Sequence, residues 1–309
     1  MADMYTSITD AAVLDADEVT QFESGILYGV APELVMDQVA TIQVSGAAKI
    51  FQFAKYANLS KITSGITDGE EVTSVVLADS TATLTPVDYG NVVSLLKIAD
   101  LQSGNKALTA AGYLVGQNAG ASLDGLAVTA AEAFTTTVIF PGSNTAIGTC
   151  GETDNLDKTF ANRLYNKLAR TNVQKINGQY IGVAHDDCLF DLRDDTSTGG
   201  WIDVQKYADP SSALMNEVGM YAGIRWLRSS NVTVTADGAS GTVDSYKVNV
   251  FGYNAIGKGE SLPLTGVVSG PFDKLQRVLH IGWNWVGAYG VIDTAKMVQG
   301  GCTSSIGSN

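Results

Sequence analysis

The sequence predicts an α+β chain, and three observations carry that prediction. Residues 48–99 alternate apolar and polar side chains on either side of a turn signal, the pattern of a long β-hairpin. Residues 100–134 place apolar side chains three and four apart, the pattern of one long helix. Beyond residue 135 short strands and helices mix without a regular strand–helix–strand repeat, which favours α+β over a doubly wound sheet.

Composition narrows the class further. The 309 residues suffice for one elaborate domain or two ordinary ones, and a 45% hydrophobic content rules out wholesale disorder. Only 17% of residues are charged and 33 are glycine, a balance that suits extended backbone and a surface covered by something other than water. With 19 basic and 32 acidic residues the net charge is −13, so the chain is expected to sit beside nucleic acid without adhering to it. Cys150, Cys188 and Cys302 lie far apart, against a disulfide scaffold or a structural zinc site. Acids at Asp3, Asp10, Asp15, Asp17 and Glu18 stand where a signal peptide would carry Lys or Arg. The least polar window, 278–292, contains His280 and Asn284 and is too short to span a bilayer. A soluble, intracellular product without a membrane partner is expected.

Residues 1–47 are weakly periodic and read as an arm that packs on something else, with a short helix near Pro32 that places Val35 and Val39 on one face. In the hairpin, Phe51 and Phe53 alternate with Gln52 and Ala54, and Asp68-Gly69 is a favoured two-residue turn. About twenty-five residues on each side far exceed the usual strand of about five or six, and such a ribbon is not stable alone in water. Residues 49–81 are therefore expected to project and lie across another molecule, with Lys55, Lys61, Asp68, Glu70 and Glu71 as candidate contacts.

The helical stripe runs through Leu108, Ala111, Val115, Ala119, Leu123, Leu126, Ala130 and Ala133. Gly112, Gly116, Gly120 and Gly125 each weaken this helix by roughly 1 kcal/mol relative to Ala, tolerable where a neighbour packs closely. Asp124 adjoins the stripe, so it must either face solvent or be matched by a cation or hydrogen bond. Further on, residues 135–140 read as a strand ending at Pro141-Gly142. Asp154 is the expected cap of a helix burying Leu156, Phe160, Leu164 and Leu168, with Lys167 and Arg170 at its negative end. Residues 179–185 read as a buried strand, and glycine-rich hairpins are expected around Asp237-Gly238 and from Asn254 to Gly259. Leu279, Ile281, Trp283 and Trp285 share one strand face, expected to be core rather than a sugar-stacking platform.

Candidate chemistry is sparse. Residues 252–259 approach a phosphate loop, but Gly259 replaces the magnesium-binding hydroxyl and Pro263 stands where a helix should begin. His185, Asp186, Asp187 and Cys188, followed by Asp191, Asp194 and Asp195, read as a strand end entering a capped helical turn with ordinary salt bridges. Arg163, Lys167 and Arg170 read as a solvated face. With two histidines in the chain, neither a catalytic constellation nor a metal or cofactor site is expected.

The order of arm, long hairpin, spine helix and glycine-rich remainder resembles the major capsid proteins of tailed bacteriophages with the Hong Kong 97 fold, closest to the N-four-like coat branch. Three segments carry the resemblance. LTPVDYGNVVSLLKIADL (84–101) is similar to that branch's return strand into the spine helix. GQYIGVAHDDCLFDLRDD (178–195) is similar to its strand–His–Asp-Leu-Arg segment, with Asp186 in place of the usual proline. NEVGMYAGIRWLRSSNV (216–232) is similar to its Glu-x-Gly…Gly-x-Arg segment, carried by Glu217, Gly219, Gly223 and Arg225.

The resemblance implies an N-terminal arm (1–47), an E-loop (48–99), a peripheral domain with the spine helix (100–150 and 271–309) and an axial domain (151–270). It gives Glu217, Gly219, Gly223 and Arg225 structural roles, beside the structural role that the helical stripe gives Asp124. It further implies hexamers and pentamers of the chain itself, forming an icosahedral shell around double-stranded DNA without sequence-specific binding. Synthesis in the host cytoplasm, residence in the virion, and portal, scaffolding and decoration partners follow from the same likeness. Two other classes stay open: a different self-assembling protein, such as a compartment shell or tail tube, and a hydrolase using His185 and Cys188.

Overall fold

The computed structural model describes residues 34–46, 48–56, 59, 62–63, 65–66, 68–69, 71, 74–77, 79–98, 106–195, 217–241, 243–269 and 277–306. The arm up to residue 33, Lys61, Glu70 and the Leu108 side chain lie outside the described residues.

In chain order the strands and helices are β1 (Thr41–Val44), β2 (Phe51–Tyr56), β3 (Asp79–Leu84), β4 (Val87–Leu96), α1 (Lys106–Glu132), β5 (Val138–Ile139), α2 (Lys158–Arg170), β6 (Tyr180–Ala184), α3 (Asp186–Asp194), β7 (Glu217–Tyr221), β8 (Ile224–Arg228), β9 (Val234–Thr235), β10 (Ser245–Phe251), β11 (Ile256–Ser269), β12 (Val278–Val291) and β13 (Met297–Thr303). The α+β class follows directly, with the strands gathered into two sheets and a two-stranded ribbon.

The first sheet has the order β1-β11-β12-β4, parallel between β1 and β11 and antiparallel elsewhere. Because side chains alternate across a strand, Ile281, Trp283 and Trp285 of β12 all point to one face, where α1 covers them with Val115, Ala119 and Leu123. The core reading of the two tryptophans is correct. Farther along α1 the buried line passes through Ala127, Val128 and Ala131. Ala130 is only half-buried and Ala133 exposed, because the buried line advances in fours through Val115, Ala119, Leu123, Ala127 and Ala131 and so turns about 40° per step toward the second sheet.

The second sheet has the order β5-β13-β10-β6-β8-β7, with β9 paired to β10. One face packs on Phe160, Leu164 and Leu168 of α2 and on Leu189 and Leu192 of α3. The other packs on Ala127, Val128 and Ala131 of α1 and on Val35, Met36 and Val39. Met36 opens a single 3₁₀ turn, Met36–Gln38, which Val35 and Val39 flank, at the place of the expected short helix. Covered on both faces, β6 is buried at every position, as its unbroken apolar run requires.

Several local expectations change. The N-cap of α2 is Asp157, whose Oδ1 accepts the Phe160 N–H at 2.7 Å, while Asp154 accepts the Gly151 N–H at 2.8 Å and closes the preceding turn. Either Asp is chemically suited to cap, but it is Asp157, with extended backbone, that stands three residues before the Phe160 amide. The hairpin around Asp237-Gly238 forms, with Gly238 N–H donating to Val243 O at 3.0 Å and β9 pairing with β10. The stretch 252–259 is not a hairpin. Asn254, at φ 59°, turns the chain from β10 in the second sheet to β11 in the first. As a result β11, expected in the axial segment, lies in the sheet under α1. β13, expected in the peripheral segment, pairs with β10.

Among the described residues the paired ribbon is shorter than the sequence suggests. β2 and β3 pair for six residues, from Phe51↔Leu84 to Tyr56↔Asp79. This register centres on residues 67–68, and Asp68-Gly69 is indeed a turn, with Gly69 at φ 86°. After Thr85 and Pro86 the returning chain changes partner: β4 pairs with β12 from Val87 to Leu96. Among the described residues no helix is long and apolar enough to cross a membrane.

Candidate inter-subunit surface

The β2–β3 ribbon is rooted in a socket of glycines. Phe51 and Phe53 point inward and meet Ile292, with Ala82 and Leu84 alongside. Gly259 lies under the Phe51 ring, where any Cβ would overlap it, and a Cβ on Gly257 would stand 3.0 Å from Phe53 and 2.9 Å from Ile292. These are the glycines of the near phosphate loop; their use is to admit two phenyl rings against a strand. Lys55 completes the root, its Nζ 2.7 Å from Asp293 Oδ1 of its own chain. Asp293 also accepts the Ala295 N–H at 3.1 Å and lies 3.7 Å from Lys296. Burial alone would raise its carboxyl, but the Lys55 bond, the Ala295 N–H and the charges of both lysines hold it below the usual range. Lys55, expected to reach a neighbouring chain, is thus engaged at home.

Beyond Tyr56 the character reverses. Leu59, Ile62, Ile66, Val75, Val76 and Leu77 are all exposed, Ile62 at 85% and Val76 at 87%, in a segment where Asp68 and Glu71 are exposed as well. Large apolar side chains concentrated on a narrow arm mark a surface meant to be covered. The outer side of β4 continues it with Val92 and Leu96.

The body behind the socket is braced by buried polar groups. Lys258, 5% exposed, follows the socket glycine Gly257 and points to the opposite side. Its Nζ donates to Asp37 Oδ2 at 2.7 Å, lies 3.6 Å from Glu260, and sits over the Trp285 and Tyr289 rings. Tyr289 OH donates to Asp37 Oδ1 at 2.6 Å and Trp285 Nε1 to Glu260 at 2.7 Å. Burial pushes the Tyr289 phenol up, with Asp37 adding to the shift, so the hydroxyl stays a donor. Sequence reading missed this cluster. Its one local signal was a Lys–x–Glu pair on one side of a strand that was not recognised as a strand.

The Glu217…Arg225 segment is a tight hairpin of β7 and β8. Ala222 and Gly223 turn with φ 54° and 75°, and a bulge follows Glu217, with Gly219 at φ 151°. The bulge shifts Glu217 so that its Oε1 lies 3.4 Å from Arg225 Nε. A Cβ on Gly223 would stand 2.7 Å from the Tyr165 ring, so the position also lets α2 approach. All four residues lie in this one hairpin.

At the end of β6, His185 caps α3, its Nδ1 accepting the Asp187 N–H at 3.3 Å. Asp187 Oδ2 accepts Tyr246 OH at 2.7 Å, Asp191 accepts the Ser305 N–H at 3.0 Å, and Asp186 lies 3.9 Å from Arg228. Cys188 Sγ lies in the core 3.6 Å from Cys302 Sγ, and burial pushes its thiol well up, with Cys302, Asp191 and Asp187 adding to the effect. That environment opposes the thiolate a Cys–His nucleophile needs. Among the described residues no three His, Cys, Asp or Glu side chains converge in a metal-binding group.

No family model matches the chain, and no curated protein is similar to it in sequence. Solved structures are similar in fold. The capsid of Ralstonia phage GP4 superposes with a TM-score of 0.68 at 12% identity, covering 86% of this chain and 87% of that one. The head structure of Helicobacter pylori bacteriophage KHP40 gives 0.65 at 9% identity, covering 86% and 91%. A virus-like particle from Pyrococcus furiosus gives 0.58 at 11% identity, covering 91% and 98%. With nearly whole chains matched, this protein has the Hong Kong 97-type fold of phage capsid proteins.

Proposed function

We propose that this chain is the major capsid protein of a tailed bacteriophage, assembling into hexamers and pentamers that close an icosahedral shell around double-stranded DNA. The observation that carries the reading is the arm beyond the Phe51–Phe53 socket, where Leu59, Ile62, Ile66, Val75, Val76 and Leu77 are all exposed. A second copy of the chain is the partner that covers such an arm at every position of a closed shell. The charge of −13 agrees with a container that does not trap its contents.

In this reading residues 1–47 are the N-terminal arm, 48–99 the E-loop, 100–150 and 271–309 the peripheral domain, and 151–270 the axial domain, with β11 and β13 crossing between the last two. The N-four-like coat branch is the finer assignment, supported by the segments at 84–101, 178–195 and 216–232. Residence in the virion follows, as do portal, scaffolding and decoration partners. The role is structural, without catalysis.

A compartment shell is the second reading, favoured by the likeness to a virus-like particle. Electron microscopy of the chain produced with its natural assembly partners tests both. Closed particles containing double-stranded DNA support the capsid; closed particles loaded with protein cargo support the compartment. A chain that sediments only as a monomer at high concentration overturns both.

A further inference from the structure

Cys188 and Cys302 are 114 positions apart in the chain, yet their sulfurs are 3.6 Å apart. Both are fully buried. One lies in the first turn of α3 and the other near the end of β13, where it pairs with Tyr246 of β10. The residues that follow Cys302 are clamped to the same helix. Ser304 Oγ donates to Asp187 O at 3.2 Å, Ser305 N–H donates to Asp191 Oδ2 at 3.0 Å, and Ser305 Oγ donates to Asp191 Oδ1. A strand register on one side and three hydrogen bonds on the other therefore hold the two sulfurs face to face.

We propose that Cys188 and Cys302 are a latent disulfide pair that closes in an oxidising medium and ties α3 to β13. A disulfide needs its sulfurs about 2.05 Å apart, so they must approach by roughly 1.5 Å, a distance within reach of side-chain rotation. The oxidant is a low-molecular-weight disulfide. The Cys302 thiolate attacks one oxidant sulfur and expels the first thiolate; the Cys188 thiolate then attacks the Cys302 sulfur and expels the second. The two cysteine protons pass to the two expelled thiolates. Both cysteine sulfurs are oxidised, and the oxidant is reduced to two thiols.

Burial makes this exchange slow while the site is closed, because the raised Cys188 thiol supplies little thiolate and the oxidant has no path to it. Closure of the bond therefore waits for residues 302–306 to lift from α3, and the Ser305–Asp191 clamp governs that lift. Cys150 serves as an internal control. It too is buried, with its thiol pushed up to about 11 mainly by burial, but its Sγ points at the Ala146 carbonyl, 3.6 Å away. The inference does not depend on the shell reading. A chain made in a reducing compartment and later exposed to an oxidising one would gain the tie without an enzyme.

The test is to incubate the folded full-length chain with oxidised glutathione, quench by alkylation in denaturant, and identify each cysteine by mass. The expected result is a fall from three free thiols to one, a peptide carrying Cys188 joined to one carrying Cys302, and an alkylated Cys150. Cys150→Ala should close the bond at the wild-type rate, and Asp191→Asn several-fold faster. The oxidised wild type should unfold several degrees higher than the reduced form, a gain that Cys302→Ala abolishes. Three alkylated cysteines, after exposure longer than the amide-exchange time of residues 302–306, overturn the proposal. So does a Cys150–Cys302 link.

Discussion

Asp124 Oδ1 accepts the backbone N–H of Met36 at 2.8 Å, fastening the middle of the spine helix to a segment 88 positions earlier in the chain. The same oxygen accepts the Val35 N–H at 3.0 Å, while Oδ2 accepts Ser229 Oγ at 2.7 Å and Asn231 Nδ2 at 2.8 Å. The carboxylate is fully buried, in line with Ala127, Val128 and Ala131 on the packed face of α1. Hydrogen bonds from four neutral donors, on two separate segments, take the place of the cation or the solvent that were the other ways to accommodate it. A single side chain thus docks the 34–40 segment and the loop after β8 onto one helix.

Asp124→Ala leaves those donors without an acceptor in a dry site. A loss of about 3–5 kcal/mol is expected, against about 1–2 kcal/mol for Asp124→Asn, which keeps one carbonyl oxygen. Equilibrium denaturation in urea measures both. Faster proteolysis near residue 36 in the Ala variant would show which contact opens first.

Gly259→Ala forces the Phe51 ring out of its socket. The expected cost is about 1–3 kcal/mol from overpacking, with the root of the ribbon displaced. Limited proteolysis should cleave residues 57–78 several-fold faster than in wild type. Combining it with Phe51→Ala, which removes the clash, should recover part of the lost stability if the ring is the cause.

The Lys55–Asp293 pair makes a pH-dependent contribution of known sign. Asp293 is held below the usual carboxylate range in the folded chain. A depressed carboxylate stabilises above its unfolded value, near 3.9, and that contribution is lost as pH falls through the folded value. Lys55→Met should therefore be less stable than wild type at pH 7, with the difference shrinking as the pH drops through the acid range. Because Lys55 is a third exposed, the effect at neutral pH should be small and should weaken with salt. Denaturation midpoints measured from pH 7 to pH 2 check the trend; a difference that grows on acidification contradicts it.

Ile62→Asp combined with Val76→Asp should leave the folded chain as stable as wild type, within about 0.5 kcal/mol, since both side chains are exposed. Assembly should be lost or reduced many-fold, because the same positions become buried charges once a neighbour covers them. Sedimentation and thermal unfolding, measured on one preparation, separate the two effects.

Much of the fold was legible because local periodicity is a local property. The spacing of Val115, Ala119 and Leu123 sufficed for α1, the alternation of Ile281, Trp283 and Trp285 for β12, and Asp68-Gly69 for the turn of the ribbon. Phe160, Leu164 and Leu168 likewise marked the buried face of α2 before any partner was known. In each case the side chains record which face is apolar, and burial of that face is required whatever covers it.

What covers each face was decided only in three dimensions. Nothing near Pro86 says that the return strand will leave β3 for β12, almost two hundred residues further on, and nothing near Asn254 says that the chain will change sheets there. The acceptor for Lys258 comes from Asp37, 221 positions away, and the acceptor for Lys55 from Asp293, so two cations that look like surface charges in the sequence are internal ties. Charge and hydrogen-bonding capacity announce that a partner is needed but carry no direction; strand register and helix packing supply the direction. The sequence by itself therefore determined most of the elements, their inward faces and the need of the long hairpin for a partner. The tertiary structure decided which groups meet, because a hydrogen bond or ion pair exists only where long-range packing has already brought its two halves within about 3 Å.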